Sequence, residues 1–214
     1  MPRKIPWFEI ALIIVFLSAT LYAAFSDAYN LPNTWFIRDD AYYYYKVAQN
    51  ISEGRGSTFD GIHPTNGYHP LWLAICIPIF ALARFDLILP LRLLAILIGL
   101  LQLATAILLY RLVRRAISEA AGILAACFWA FNTYVLVFLY KTGVESPITL
   151  FLVALLLLHL YNLETTWRTR APGLGKIAGL GILSALIAFG RLDLAFFALI
   201  VGIWVVFRGT PMRY

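Results

Sequence analysis

Seven apolar runs occupy most of the chain, at roughly 6–25, 71–83, 88–110, 117–138, 147–163, 177–190 and 194–207, separated by short, often basic connectors. A helix of about 20 apolar residues crosses the roughly 30 Å of hydrocarbon in a bilayer, and about 17 is the lower limit. Inside lipid the backbone must satisfy its own hydrogen bonds, which leaves the helix as the form for such runs. Charged residues make up 13% of the chain and hydrophobic residues 62%. The charged share is about half that of a soluble domain. The expected fold class is therefore all-α, a polytopic membrane helix bundle, read as a single transmembrane domain over 1–214.

The net charge of +6 is spread over the connectors. Nucleic-acid binding needs a clustered basic face, so that partner is excluded, and the pattern fits membrane orientation instead. Cys76 and Cys127 both lie in apolar runs and read as small buried hydrophobes. No small-residue cleavage site follows the first run, which reads as a retained helix.

Orientation follows from the basic residues. Arg3 and Lys4 place the N-terminus inside, so the segment 26–87 is a first external loop. Arg111, Arg114 and Arg115 belong inside too, which requires that only one of the runs 71–83 and 88–110 crosses. The short run after Pro70 is expected to lie at the outer interface as a juxtamembrane helix. The helix from 117 climbs out, 147–163 returns, and Arg168, Arg170 and Lys176 fall inside. The runs 177–190 and 194–207 form a hairpin with its tip, Arg191-Leu192-Asp193, outward, and Arg208 and Arg213 end inside. About six spans result, in the cell membrane, with every basic cluster on one side.

The external loop holds most of the chemistry-bearing residues. Asp39 and Asp40 precede a helix-like stretch from Ala41 to Ser52. Asp40 suits an N-cap, but a cap explains one acid and not two. The other reading is a general base or metal ligand near low-dielectric surroundings. Tyr42 to Tyr45 fit an interfacial aromatic belt, yet four consecutive helical positions point in all directions, so one or two, Tyr42 among them, could stack on a sugar. Asn50-Ile51-Ser52 has the form of a glycosylation acceptor. His63 and His69 flank Thr65-Asn66-Gly67-Tyr68. His69 precedes Pro70 and a helix N-terminus, where an anion such as phosphate is favoured. In the next outer loop Glu145 reads equally as a helix-terminal acid and as a site residue. Arg191 and Asp193 read as a local ion pair or as a cation offered to an anionic substrate. Three loops bring acids, and two bring cations, to one face.

The pattern Arg38-Asp39-Asp40-Ala41-Tyr42, then Gly-rich sequence and Thr65-Asn66-Gly67-Tyr68-His69-Pro70-Leu71-Trp72, resembles the GT-C glycosyltransferases. The nearer likeness is to bacterial members related to protein O-mannosyltransferases and lipid A aminoarabinose transferases. Gly143-Val144-Glu145-Ser146-Pro147 and Gly190-Arg191-Leu192-Asp193 resemble later elements of such enzymes, and the chain would correspond to their N-terminal half. The resemblance implies an inverting sugar transfer from a polyprenyl phosphate to a hydroxyl of a glycan, lipid or protein on the extracytoplasmic side. It implies Asp39 or Asp40 as base, and His69 near the lipid phosphate; Arg191 or Lys141 is the further cation expected to assist there. The candidate substrate-binding residues are Tyr42, His63, Asn66, His69, Glu145, Arg191 and Asp193, and the resemblance puts Glu145 near the second acidic position. Some branches bind a divalent metal, Mg or Mn, and others do not, so cofactor and ligands stay open. The competing classes are a lipid or solute transporter and a non-catalytic or truncated subunit that works with a second membrane protein.

Overall fold

A computed structural model describes residues 6–83 and 86–209. Arg3, Lys4 and Arg213, which the orientation argument uses, lie outside the described residues. The elements are α1 (Trp7–Ala24), α2 (Asp39–Ser52), α3 (Pro70–Leu82), α4 (Leu89–Ala116), α5 (Glu119–Phe131), α6 (Thr133–Thr142), α7 (Ser146–Trp167), α8 (Leu174–Gly190) and α9 (Ala195–Gly209). A π-helical turn spans Leu31–Trp35 and a 3₁₀ turn spans Leu192–Leu194. Among the described residues there is no β-strand. The chain is an all-α bundle, as composition and run lengths demand.

Antiparallel neighbours build it. Along α1 and α4, Phe8 packs on Tyr110 at 4.9 Å between ring centroids, and Arg92 lies 6.0 Å from the Phe25 ring just past the other end of α1. Midway, Gly99 makes room for Thr20; a Cβ there would overlap its hydroxyl. Gly122 of α5 plays the same part against α4, where a Cβ would come 2.8 Å from the Tyr110 carbonyl. Small residues that let backbones approach are how helices associate when lipid removes the hydrophobic incentive. α8 runs back along α7, and Trp204 of α9 meets Trp167 at 5.5 Å. The chain thus passes six times between two ends of the bundle, with α5 and α6 together making one pass.

Three helices, α1, α4 and α7, are long and apolar enough to cross a membrane, and a fourth crossing results if α5 and α6 count as one. α1 is apolar on every side, yet Ile14, Leu17 and Leu21 remain exposed. A helix of that kind suits a hydrocarbon surround, and the protein is a membrane protein. The helix expected to climb unbroken over 117–138 is instead bent by 49° between α5 and α6. The reason is Asn132, which is extended at φ −74°, ψ 99° and accepts the Val135 N–H at 3.2 Å, capping α6. α3, at 13 residues, reaches about 20 Å and is too short to cross alone.

Arg111, Arg115, Arg168, Lys176 and Arg208 gather at one end. Arg111 holds Glu9 through Nε at 3.0 Å and Nη2 at 3.1 Å, and Arg208 holds Glu164 at 2.9 and 2.7 Å. Arg115 donates to Asn162 there at 2.8 Å. The other end carries the start of α2, α3 and α7 and the end of α6 and α8.

Candidate active site

The four tyrosines of α2 have four separate destinations. Tyr42 donates to the Phe36 carbonyl at 2.8 Å. Tyr43 meets the Thr65 hydroxyl. Tyr45 donates to the Gly143 carbonyl at 2.9 Å, and Trp72 Nε1 donates to the same oxygen at 3.2 Å. Tyr44 reaches Glu145 Oε2 at 3.3 Å while accepting the backbone N–H of His69 at 2.9 Å. Burial pushes the Tyr44 phenol up from its usual range, so it serves as a hydroxyl donor.

Gly143 ends α6 at φ +60°, a left-handed conformation that glycine adopts without steric penalty. Its pinned carbonyl fixes the approach to Glu145, the residue just before α7. His69 is extended at φ −81°, ψ 123°, as the residue before a proline must be. Its ring Nδ1 faces the Leu192 N–H at 3.4 Å, and its Nε2 lies 3.9 Å from Glu145 Oε1. Arg191 reaches the same oxygen with one Nη1 at 3.3 Å. Its other edge forks onto both oxygens of Asp193 at 3.1 Å. That fork raises the Arg191 pKa and holds the Asp193 carboxyl below the usual carboxylate range.

Around these groups opens a cavity of about 440 Å³, walled by Arg38, Asp40, Tyr44, His69, Glu145 and Arg191, with Tyr43, Gly67, Phe138, Thr142 and Ser146 also lining it. A recess of about 710 Å³ adjoins it across Asp40, Tyr43 and Gly67, and contains Asp39 and Tyr42. The fold therefore unites Asp40, His69, Glu145 and Arg191, drawn from four segments. Asp193 attaches through Arg191. Tyr42 borders the recess rather than the central cavity. His63 and Asn66 line neither; His63 is exposed and bonded to Asp60 Oδ2 at 2.7 Å.

Three expectations change. Asp40 does not cap its helix: α2 starts at Asp39, whose Oδ1 accepts the Asp40 N–H at 3.0 Å. Both aspartates are exposed, and the buried acid is Glu145, 5% exposed. Asn50 is fully buried, donating to the Thr58 and Phe59 carbonyls at 2.9 and 3.0 Å, so it is a loop tie and not a glycan acceptor.

Arg38, Tyr43 and Tyr44 were not picked out singly. A signal existed: Asp40, Tyr43 and Tyr44 stand at i, i+3 and i+4, one helix face. Lys141 lines a neighbouring cavity beside Arg38 instead. Among the described residues no three His, Cys, Asp or Glu side chains converge as a metal-ligand set.

The family model for dolichyl-phosphate-mannose-protein mannosyltransferases matches residues 68–210. That stretch contains His69, Glu145 and Arg191; Asp39 and Asp40 precede it. Neither curated proteins nor solved structures yield a match.

Proposed function

The chain belongs to the dolichyl-phosphate-mannose-protein mannosyltransferase family, a membrane glycosyltransferase of GT-C type, and from that premise we propose that it moves a hexose from a polyprenyl phosphate to an acceptor hydroxyl. The observation that carries this reading is the shared cavity. Asp40 lines it together with Arg38, His69 and Arg191, and the buried Glu145 lines it too, 3.3 Å from Arg191.

The acceptor oxygen attacks the anomeric carbon from the face opposite the lipid phosphate. The new O–C bond forms as the C–O bond to phosphate breaks, and that electron pair stays on the phosphate oxygen. Asp40 takes the acceptor proton. Of the two aspartates it is the one in the central cavity, while Asp39 braces its backbone. Arg191, Arg38 and His69 face the charge that grows on the leaving phosphate, the kind of pre-placed electrostatic help that dominates such steps. Glu145, held by Tyr44, orients Arg191 and His69. The apolar groove next to Arg191, lined by Trp129, Leu139, Leu150 and Val153 with Phe138 and Ser146 shared with the cavity, suits the isoprenoid chain. All six passes cross the membrane, with the basic end cytoplasmic and the reaction on the outer side. A divalent ion is open to direct assay, and no step here runs through one.

The test uses purified protein in lipid nanodiscs with radiolabelled polyprenyl-phosphate mannose. Asp40→Asn should lower sugar consumption about 10²–10⁴-fold, the usual weight of a general base, with an unchanged thermal unfolding profile. Wild-type turnover in the Asp39→Asn/Asp40→Asn double variant ends the base assignment.

A further inference from the structure

Four hollows stand in a row, ordered by the walls they share. The apolar groove at Trp129 and Leu150 shares Arg191, Phe138 and Ser146 with the central cavity. The central cavity shares Asp40, Tyr43 and Gly67 with the recess at Asp39. The recess in turn shares Tyr42 and Phe59 with a second apolar groove, about 470 Å³, formed by Pro32, Tyr45, Phe80, Ile88 and Leu91. The polar centre thus has a hydrocarbon-lined trough on each flank. One is entered past the cation Arg191 and the other past the aspartates.

A lipid-phosphate donor accounts for the trough beside Arg191, because its phosphate must lie near the cations and its chain must leave from there. It does not account for the second trough, which joins the site on the side of the base. The groove's wall also carries Lys46, half-buried, whose ammonium donates to Gln49 Oε1 at 3.4 Å. Among the described residues no carboxylate pairs with it; the neighbouring Glu53 is taken by Arg55 and by Gln49. An amine on an apolar wall keeps its stem against hydrocarbon and presents its charge to an anion at the rim. Leu87 of the groove wall is itself exposed, the surface expected where a groove opens to lipid rather than to water.

We propose that the acceptor is itself a lipid: an anionic, hydroxyl-bearing amphiphile whose acyl chain lies in the Tyr45–Phe80–Leu91 groove. Its phosphate sits at Lys46, and its head-group hydroxyl reaches Asp40. This deepens the glycosyltransferase reading and rests on it, because the hydroxyl is an acceptor only if the central cavity transfers sugar. Two lipids then meet head to head, the donor from the Arg191 side and the acceptor from the aspartate side.

The probe is phosphatidylglycerol carrying a diazirine in one acyl chain, in nanodiscs of phosphatidylcholine, with phosphatidylcholine bearing the same photolabel as the uncharged-head control. The expected result is labelling of peptides containing Tyr45, Phe80 or Leu91 by phosphatidylglycerol. Lys46→Glu should lower it at least about fivefold and Lys46→Arg should restore it. Excess polyprenyl phosphate should leave it unchanged, and radiolabelled mannose should move onto the phosphatidylglycerol head. Equal labelling by both lipids, displacement by polyprenyl phosphate, or displacement by a serine-rich apolar peptide that then receives the sugar overturns the proposal. Failure of the transferase reading shows separately, as no consumption of polyprenyl-phosphate mannose with any acceptor, while the labelling pattern still decides what the groove holds.

Discussion

Replacing Gly143 by alanine tests whether the turn before Glu145 positions the site. Gly143 sits at φ +60°, and a Cβ there would lie 2.5 Å from the Tyr45 hydroxyl, 2.8 Å from Phe36 Cδ1 and 3.0 Å from Ala41 Cβ. A left-handed non-glycine residue costs about 1–2 kcal/mol. Overpacking among buried neighbours adds about 1–3 kcal/mol. Gly54 is the control: its φ is +79°, but open space surrounds it, so Gly54→Ala should show the conformational part alone. Unfolding followed by tryptophan fluorescence in detergent should therefore rank Gly143→Ala below Gly54→Ala. The gap should be about 1–3 kcal/mol, or several degrees for a chain of this length. The clash also pushes on the carbonyl held by Tyr45 and Trp72, two residues before Glu145. A shift of about 1 Å at a reacting constellation is worth up to about 10²-fold, so sugar consumption should fall about 10–100-fold in Gly143→Ala and stay level in Gly54→Ala. Equal destabilisation of the two variants, or full activity in Gly143→Ala, refutes the reasoning.

Asp193→Asn should tighten donor binding about two- to fivefold, measured by titration with polyprenyl-phosphate mannose, because the exposed Asp193 carboxylate competes with the lipid phosphate for Arg191. The sign with pH follows from the lowered Asp193 pKa. The pair is complete above the unfolded carboxylate value near 4 and is lost only as pH falls through the still lower folded value, so wild-type protein keeps this competition at every pH from about 5 to 8. Asn132→Ala removes the cap that bends α5 from α6 and should lower stability by about 1 kcal/mol, read as a lower unfolding temperature.

Most of the bundle was legible because length and apolarity decide whether a segment can live in lipid, and both are properties of single runs. The expectation that the run after Pro70 does not cross came from charge alone, since Arg111, Arg114 and Arg115 had to share a side with the other basic connectors; α3, at 13 residues, is too short to cross by itself. The break at Asn132 was hidden because one polar residue within an apolar run leaves mean hydropathy almost untouched, while its side chain redirects the backbone by capping. At the site, His69, Glu145 and Arg191 were readable as residues beside helix ends, yet their convergence is tertiary. Tyr42 was favoured over Tyr43 and Tyr44 because composition does not say which face of α2 turns inward. His63 carried the same chemical promise as His69, and both precede a proline, but Pro70 opens α3 and so holds His69 at its start, while His63-Pro64 lies in the loop with His63 on Asp60.

The ion pairs at the two ends of the bundle differ in a way that separates framework from chemistry. Arg111 with Glu9, and Arg208 with Glu164, meet two nitrogens on two oxygens at 2.7–3.1 Å, the bidentate geometry that gives such pairs their strength. Glu145 is more buried than either partner acid, with a 7% exposed side chain against 18% and 29%, so its desolvation calls for the best pairing of the three. It receives the poorest. Arg191 gives its fork to the exposed Asp193 and a single nitrogen to Glu145 at 3.3 Å, Tyr44 comes no closer than 3.3 Å, and His69 stands at 3.9 Å. A carboxylate kept for stability alone would be better satisfied than this or replaced by an apolar side chain. Long contacts to a guanidinium, an imidazole and a hydroxyl, on the wall of a cavity that also holds Asp40, leave those groups free to turn toward an incoming phosphate.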